Sequence, residues 1–416
     1  MPDTIKAWLY GTHIANLTGR DTGKKIDMEY THDAIDRWGI GSKILSLSMP
    51  LSTRPVPPKR STSFFRGLLP EGQQLTAIAR QIDVAESNTF ALLRDYGKDV
   101  AGAIYLTNGD EHEPSPPTEY RKISKKDLAR LVNETRLNQN PGESHPLGNT
   151  REHKGRSLDG YQGKLLVAKF GNDWFMPSQD GSPSTHIAKP PSNQADYPDL
   201  TMNEAVTMQW ATLVGVTSTK TEIITDGDYR FMVQSRYDRL IEGPFRVSRI
   251  HQEDGCQATG TDPSRKYQSH GGPTLRLLAM LTGIAERESL LAQLVFRVVV
   301  GDTDAHAKNF SWLHQPDGKV TLAPLYDSQP GLHYVSNSLA QTVGTAETFP
   351  QLELDDIFEE ASKWAITPKK SHAIVSDTVT KMADTIRSVD LTPANPSAFK
   401  IVKNRLDDFT KELKNQ

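Results

Sequence analysis

A predicted buried helix that ends in a short polar loop is the feature that most constrains this chain. Residues 290–300 are almost entirely apolar, which is typical of a helix packed inside a domain. The loop that follows holds Asp304 and, five positions later, Asn309. A buried helix that delivers two polar side chains to one loop indicates a functional site, although such residues can also simply cap turns.

The segment after this loop predicts a β-hairpin that returns a third polar side chain. Residues 310–314 and 320–322 have strand character, and the sequence Pro-Asp-Gly at 316–318 is a turn signal between them. Asp327 follows Asn309 by eighteen residues. The hairpin is therefore expected to bring Asp327 back to the loop, where oxygen groups distant in sequence can meet around one metal ion.

These residue types and their spacing favour phosphoryl transfer. An enzyme of that kind orients an acceptor hydroxyl with an aspartate and holds magnesium with an asparagine and a second aspartate. Asp304 and Asn309 have the separation of the base and the metal ligand in a protein-kinase catalytic loop. We therefore predict Asp304 as the catalytic base and Asn309 and Asp327 as the metal ligands.

Composition excludes several other classes of protein. At 416 residues the chain exceeds what one core usually serves, so we expect two or three lobes. The single cysteine, Cys256, excludes internal disulfides and argues against a zinc cluster. The net charge of −3 gives no footprint of autonomous nucleic-acid binding. The sequence lacks a membrane-spanning apolar run and a signal-peptide pattern, so we expect a cytoplasmic protein without membrane contact.

The pattern of strands and helices predicts an α+β, protein-kinase-like, two-lobed fold with a β-rich N-terminal region and an all-helical C-terminal lobe. We expect a β-rich N-terminal subdomain at 1–120, a kinase small lobe at 121–239 and a helical catalytic lobe at 240–416. Predicted strands are residues 5–10, 44–49, 101–106, 164–170, 174–176, 185–189 and 229–234. Predicted helices are residues 74–82, 88–93, 124–132, 203–214, 274–282, 286–300, 355–364, 371–389 and 397–413.

A nucleotide site also needs a cation for the phosphates, and Lys189 at the end of a predicted strand is the best candidate. Alone it could equally be an exposed strand-end lysine. Glu204, early in the next predicted helix, stands where a kinase places the carboxylate that orients its lysine. The segment 157–164 contains two glycines, so that its backbone can approach a phosphate group, but it is not a Walker A loop.

Two further groups complete the predicted site. Ser235, Arg236 and Tyr237 follow a strand at the place where kinase backbone groups bind adenine, although Tyr237 could equally belong to the core. His306 and Lys308 flank the predicted base and metal ligand, where they could neutralise charge on the transferred phosphoryl group.

Taken together, these segments resemble the HipA family of serine/threonine-kinase toxins from bacterial toxin–antitoxin modules. The resemblance spans most of the chain in family order. Its matching residues are 69–72 (Leu-Pro-Glu-Gly), Ser157, Gly160, Gln162, Lys164, 186–190 (His-Ile-Ala-Lys-Pro), Asn203, Glu204, 237–239 (Tyr-Asp-Arg), 251–254 (His-Gln-Glu-Asp), 303–311 (Thr-Asp-Ala-His-Ala-Lys-Asn-Phe-Ser), Tyr326 and Asp327.

The resemblance implies that ATP and Mg²⁺ are the cofactors and that Ser157 is an inhibitory autophosphorylation site. It implies phosphorylation of a translation component such as glutamate–tRNA ligase, which arrests growth. It also implies a HipB-like helix-turn-helix antitoxin, through which operator DNA is contacted indirectly. The residues then expected at the nucleotide are Asp159, Gly160, Tyr161, Gln162, Gly163, Lys164, Lys189, Ser235, Arg236, Tyr237, His306, Lys308, Asn309, Tyr326 and Asp327.

Three positions depart from the family pattern. Asp302 replaces the usual asparagine two residues before the base and adds a carboxylate there. Ser235 removes a carboxylate from the adenine strand, and Asp159 adds one beside the regulatory serine. Two other functions stay open from sequence: a weakly active co-repressor that binds an antitoxin, and a small-molecule kinase, which the Leu-Pro-Glu-Gly segment disfavours.

Overall fold

The computed structural model describes residues 3–109, 119–137, 163–178, 181–192, 196–334 and 337–415. Ser157 and residues 159–162 of the predicted phosphate loop lie outside these ranges. Within the described part of the chain, no helix combines the length and the apolar character needed to cross a membrane.

The N-terminal region is a four-stranded antiparallel sheet covered by short helices. Its strand order is β3-β2-β1-β4, and its core includes Leu17, Phe64 and Leu93. The strands are β1 (Thr4–Leu9), β2 (Thr12–Arg20), β3 (Lys25–Tyr30) and β4 (Tyr105–Asn108). The helices are α1 (His32–Trp38), α2 (Pro58–Arg66), α3 (Gly72–Gln81) and α4 (Thr89–Tyr96).

The strand predicted at 44–49 is wrong, because this segment is a buried turn. The Ser46 hydroxyl donates to Glu253 at 2.6 Å, and the backbone N–H of Leu47 donates to the same carboxylate at 2.7 Å. The polar groups of the segment are thus used to join the N-terminal region to a distant part of the chain rather than to form a strand ladder.

The middle of the chain forms a six-stranded antiparallel sheet in the order β5-β7-β6-β8-β10-β9. The strands are β5 (Tyr120–Ile123), β6 (Leu165–Phe170), β7 (Asp173–Pro177), β8 (His186–Lys189), β9 (Thr221–Asp226) and β10 (Tyr229–Ser235). Two helices accompany the sheet, α5 (Lys125–Leu137) and α6 (Leu200–Val214). The strand β8 lies between β6 and β10, and its last residue, Lys189, pairs with Met232 of β10.

The remainder of the chain is mainly helical, as predicted. Its helices are α7 (Gly255–Thr259), α8 (Leu275–Ala279), α9 (Ile284–Val300), α10 (Leu354–Lys363), α11 (Pro368–Thr385) and α12 (Pro396–Asn415). The largest core cluster joins α9 with α11 and α12 and includes Phe296, Trp364 and Val379. Together with the two sheets, this gives the kinase-like α+β arrangement that the sequence predicts.

One detail of that prediction is corrected, since the C-terminal lobe is not entirely helical. It contains the strands β11 (Arg239–Gly243), β12 (Arg246–Arg249), β13 (His251–Asp254), β14 (Ser311–His314), β15 (Val320–Leu322), β16 (Ser338–Val343) and β17 (Ala346–Thr348). The predicted hairpin at 310–322 is present as β14 and β15, and β13 adds to its other side. Buried β14 needs partners for its backbone groups on both edges, which explains the small sheet.

The helix α9 is capped at its C-terminus by Gly301, which sets the direction of the following loop. Gly301 has a φ of 76°, and its N–H caps the carbonyls of Arg297 and Val298. A Cβ at this position would lie 2.7 Å from the Leu332 side chain, so only glycine fits without displacement. The chain therefore turns sharply from a buried helix into the polar residues 302–309.

Candidate active site

Lys189 is the centre of a buried group of charges. Its Nζ lies 2.5 Å from Glu204 Oε1, on α6, and 2.7 Å from Asp327 Oδ1. Burial alone would lower the pKa of Lys189, but the two carboxylates raise it above its ordinary value. The predicted pairing of Lys189 with Glu204 is therefore present in the structure, and Asp327 joins it.

Asp327 combines a strained backbone with a side chain whose pKa is strongly lowered. Its φ of 54° is unusual for a residue with a Cβ, and such strain is commonly retained where function needs it. Burial would raise the pKa of Asp327, yet Lys189 and Lys164 hold it well below its usual range. Its side chain is still 43% exposed, so the carboxylate can accept a further ligand.

Asp304 lies in a less favourable environment for its charge. Burial raises the pKa of Asp304 to about 6, although a hydrogen bond from Tyr267 lowers it. The Tyr267 hydroxyl donates to Asp304 Oδ1 at 2.5 Å. The backbone N–H of Asp304 donates to Asp302 Oδ1 at 3.2 Å. These contacts fix the carboxylate through one oxygen atom and the backbone of the loop.

Asn309 is oriented by the same loop. Its side-chain Nδ2 donates to the backbone carbonyl of Asp304 at 2.8 Å, which leaves its Oδ1 as the oxygen atom suited to a cation. The hydrogen bond also ties the predicted metal ligand directly to the predicted base.

The additional carboxylate, Asp302, is buried and paired rather than exposed to solvent. Its Oδ2 lies 2.5 Å from the guanidinium of Arg297, on α9, and both side chains are almost completely buried. Asp302 therefore does not add an exposed negative charge beside Asp304, which was the concern raised by the sequence.

A cluster of cations next to the loop is held by a carboxylate from the N-terminal region. Glu71 lies 2.6 Å from Lys308 Nζ and 2.7 Å from Lys266 Nζ. Burial lowers the pKa of His306 to about 3, and Lys266 and Lys308 add to the effect. His306 is thus neutral near pH 7, so Lys308 carries the positive charge of this pair of predicted residues.

The predicted adenine segment has its side chains engaged in the structure. The Arg236 side chain forms a buried ion pair with Asp238 at 2.7 Å. The backbone N–H of Arg236 donates to the Thr185 carbonyl at 2.9 Å. The Ser235 hydroxyl accepts from the N–H of Lys220 at 2.7 Å. Recognition of a base by these two residues would therefore use the remaining backbone groups.

Two tyrosines, Tyr237 and Tyr326, contact each other beside the loop at 302–309. The rings of Tyr237 and Tyr326 have centroids 5.4 Å apart, and Tyr237 donates to the side chain of Gln252. The Tyr326 hydroxyl donates to the carbonyl of Lys308 at 2.5 Å. Tyr326, which directly precedes Asp327, thus also holds the backbone of the loop at 302–309 through this hydrogen bond. Of the predicted phosphate loop, the structure describes Gly163 and Lys164, and the charge of Lys164 acts on Asp327.

Several residues of the site were not predicted. Tyr267 and Lys266 precede Asp304 by 37 and 38 positions in a segment without periodicity, so the sequence offered no signal for them. Glu71 belongs to a recognised motif but had no assigned role. Arg297 did leave a signal, since an arginine within the apolar run 290–300 needs a buried partner.

The arrangement defines a class of protein. A strand lysine paired with a helix carboxylate, a loop with an aspartate and an asparagine, and a second aspartate beyond a hairpin are the parts of a protein-kinase active site. The combination is specific because the residues come from two lobes and from distant parts of the sequence.

Comparisons with known proteins give the family. The model of the HipA-like C-terminal domain matches residues 156–386, more than half of the chain, and the model of the HipA N-terminal domain matches residues 5–107. The chain therefore belongs to the HipA family, and with it to the protein kinases.

Individual relatives agree with this membership. A putative kinase, Y4mE, of Sinorhizobium fredii is 34% identical over 84% of this chain and 83% of its own length. The serine/threonine-protein kinase toxin HipA of Shewanella oneidensis is 28% identical over 78% of this chain and 74% of its own. The solved complex of Shewanella oneidensis MR-1 HipA with HipB and operator DNA shares the fold, with a TM-score of 0.78 and 23% identity over 99% of this chain and 97% of that one.

Proposed function

We propose that this chain is an ATP- and Mg²⁺-dependent serine/threonine-protein kinase that acts as the toxin of a toxin–antitoxin module. The observation that carries the proposal is the contact of Lys189 with both Glu204 and Asp327 at 2.5 and 2.7 Å. In kinases this lysine–glutamate pair and the metal-binding aspartate must both be in place for activity.

The donor set fits magnesium and a nucleotide. Asn309 and Asp327 supply hard oxygen atoms, which magnesium prefers, and the low pKa of Asp327 keeps its carboxylate ionised. Magnesium bound there would neutralise charge on the nucleotide phosphates. Lys189, Lys308 and Lys164 supply positive charge for the same phosphates. Gly163 with residues 159–162 is the proposed phosphate loop. Backbone groups at 235–237, with Tyr326 alongside, are the proposed adenine contacts.

Asp304 is the proposed base. With a pKa of about 6 it is mostly ionised at pH 7 and is still able to accept a proton. Tyr267 occupies Oδ1, so the acceptor hydroxyl of a serine or threonine would donate to Oδ2. This assigns the orientation of the carboxylate to Tyr267 and the proton transfer to Asp304.

Family membership supports a proposal for the substrate, the partner and the regulation of the enzyme. We propose a substrate of the translation machinery, such as glutamate–tRNA ligase, and therefore a cytoplasmic site of action. The solved relative in complex with HipB and operator DNA supports a HipB-like antitoxin that links this chain to DNA. Phosphorylation of Ser157 would add about −1.5 to −2 charge beside the proposed phosphate loop and weaken nucleotide binding. We retain 1–120, 121–239 and 240–416 as the proposed functional units.

The test is transfer of labelled phosphate from ATP in the presence of Mg²⁺. Label should appear on Ser157 and be absent from both Asp304→Asn and Ser157→Ala, while Ser157→Ala should still phosphorylate an added protein substrate. Nucleotide binding without any phosphate transfer by the wild-type chain would favour the co-repressor alternative. In cells, equal growth arrest by wild type and Asp304→Asn would show that toxicity does not depend on phosphorylation.

A further inference from the structure

A single buried arginine, Arg297, contacts the backbone of both proposed metal ligands. Arg297 lies one turn before the end of α9 and is only 1% exposed. Its position in an apolar helix means that its charge has to be compensated inside the protein. The side chain extends along the end of the helix toward the loop at 302–309.

The guanidinium of Arg297 binds the backbone of both proposed metal ligands. Its Nη2 donates to the carbonyl of Asn309 at 3.0 Å and to the carbonyl of Tyr326 at 2.7 Å. Its Nη1 makes a longer contact of 3.4 Å with the carbonyl of Asp327. The planar fork of an arginine can hold two chain segments at a fixed separation, which a lysine cannot do.

Asp302 completes the arrangement on the side of the base. Its Oδ2 pairs with Arg297 Nη1 at 2.5 Å, while its Oδ1 accepts the backbone N–H of Asp304 at 3.2 Å. One carboxylate thus links the arginine to the backbone of the proposed base. The chain of contacts runs from Asp304 through Asp302 and Arg297 to Asn309 and Asp327.

We propose that Arg297 and Asp302 form a positioning unit that sets the distance between the base and the two metal ligands. The proposal rests on the proposed function, because it takes the roles of Asp304, Asn309 and Asp327 from it. It assigns a role to the carboxylate at 302, which compensates the buried charge of Arg297. Neither side chain contacts the reacting groups, so both act through the residues they hold.

The charge balance of the pair predicts a specific pattern of variants. Removing one charge leaves the other buried and unpaired, whereas replacing both with neutral hydrogen-bonding groups avoids that cost. Asp302→Asn and Arg297→Gln should each lower kcat by about 10- to 100-fold, because a shift on the order of 1 Å in a catalytic group has effects of that size. The double variant should recover most of the melting temperature lost by the worse single variant but not its kcat, because glutamine at 297 cannot span both carbonyls.

A direct readout of positioning is binding of magnesium together with a nonhydrolysable ATP analogue, measured by calorimetry. We expect Arg297→Gln to weaken the magnesium-dependent part of binding about 10-fold, as found when groups that orient metal ligands are removed. Arg297→Lys keeps the charge but cannot span both carbonyls, so it should fold and still lose magnesium-dependent affinity.

Glu253→Gln is the matched control, since it removes the charge of another fully buried carboxylate, paired with His314 at 2.9 Å. It should lower the melting temperature without changing magnesium-dependent binding. The proposal is overturned if Arg297→Lys and Asp302→Asn behave like this control, or if the double variant regains the kcat of the wild type. The wild-type chain distinguishes failure of this inference from failure of the proposed function. If the wild type does not bind the magnesium–nucleotide complex, the proposed function itself is rejected.

Discussion

Two carboxylates of the proposed active site, Asp304 and Asp327, have opposite electrostatic environments. Both are partly buried, and burial alone would raise the pKa of each. Asp304 has a tyrosine hydroxyl as its partner and a pKa of about 6. Asp327 has a buried lysine at 2.7 Å, and its pKa is held well below the usual range.

The difference shows how one residue type serves two roles. A base has to be able to take up a proton near neutral pH, which requires a pKa raised toward that range. A metal ligand has to stay ionised, which requires a neighbouring cation. Burial raises the pKa of Asp304, whose hydrogen-bond partner is a neutral hydroxyl, whereas Lys189 keeps Asp327 ionised. The comparison can therefore be tested by removing these partners.

The largest effect is expected from removing the two carboxylates themselves. Asp304→Asn should lower kcat about 10²–10⁴-fold and leave binding of the magnesium–nucleotide complex unchanged, because only proton transfer is lost. Asp327→Asn should also abolish most turnover, but through weaker metal binding. Phosphate transfer and calorimetric binding of an ATP analogue, measured on both variants, check this division.

The comparison would fail if the two variants lost the same functions. Equal loss of magnesium-dependent nucleotide binding in Asp304→Asn and Asp327→Asn would mean that both carboxylates bind metal. Asn309→Ala is the useful control here, since it should resemble Asp327→Asn and not Asp304→Asn.

The next-largest effect is expected from removing Lys189, the cation that distinguishes the environment of Asp327 from that of Asp304. Lys189→Met should lower kcat about 10²–10³-fold, since it takes away a positive charge preorganised for the phosphates. The pKa of Asp327 should rise, because its main compensating charge is gone. Magnesium titrations at several pH values check this, and the variant should need a higher pH for the same magnesium affinity. Unchanged pH dependence would show that Lys189 does not control Asp327.

The sequence predicted those parts of the site that depend on local pattern. Three signals are local patterns of consecutive residues: the apolar run before Gly301, the Pro-Asp-Gly turn and the strand ending at Lys189. They were enough to place Asp304, Asn309 and Asp327 in one site, and the structure brings these residues together. The two-lobed α+β fold follows from the same signals, although the strands of the C-terminal lobe were largely missed.

Long-range pairing explains what could not be predicted. Residues 44–49 alternate like a strand, but Ser46 and Leu47 bind Glu253, which is about two hundred positions away. Tyr267 reaches Asp304 from a segment with no recognisable pattern, and Glu71 reaches Lys308 from the N-terminal region. Asp302 looked like an added charge because its partner, Arg297, is buried in a helix whose inner face the sequence does not specify.

A smaller effect is expected from Tyr267→Phe, which removes the partner of Asp304 and keeps the ring. The hydrogen bond from Tyr267 lowers the pKa of Asp304, so its loss should raise that pKa above about 6. Because the base acts when deprotonated, the acid limb of kcat/KM should move to higher pH by about one unit, the shift given by about 1.4 kcal/mol. A pH–rate profile measures this. An unmoved limb would show that Tyr267 does not act on the base.

The smallest effect concerns a third carboxylate, Glu71, which resembles Asp327 in having cationic partners but lies outside the proposed chemistry. Burial would raise the pKa of Glu71, but Lys308 and Lys266 lower it to about 2. Since the folded state has the lower pKa, this pairing stabilises the protein above the unfolded value of about 4.3, and the contribution is lost as the pH falls toward 2. Glu71→Gln should therefore reduce the free energy of unfolding at pH 7 by about 1–3 kcal/mol, and its difference from wild type should shrink between about pH 4 and pH 2. Denaturant unfolding at several pH values checks the sign. A difference that grew on acidification would mean that the carboxylate is protonated in the folded protein and that the two lysines do not hold it.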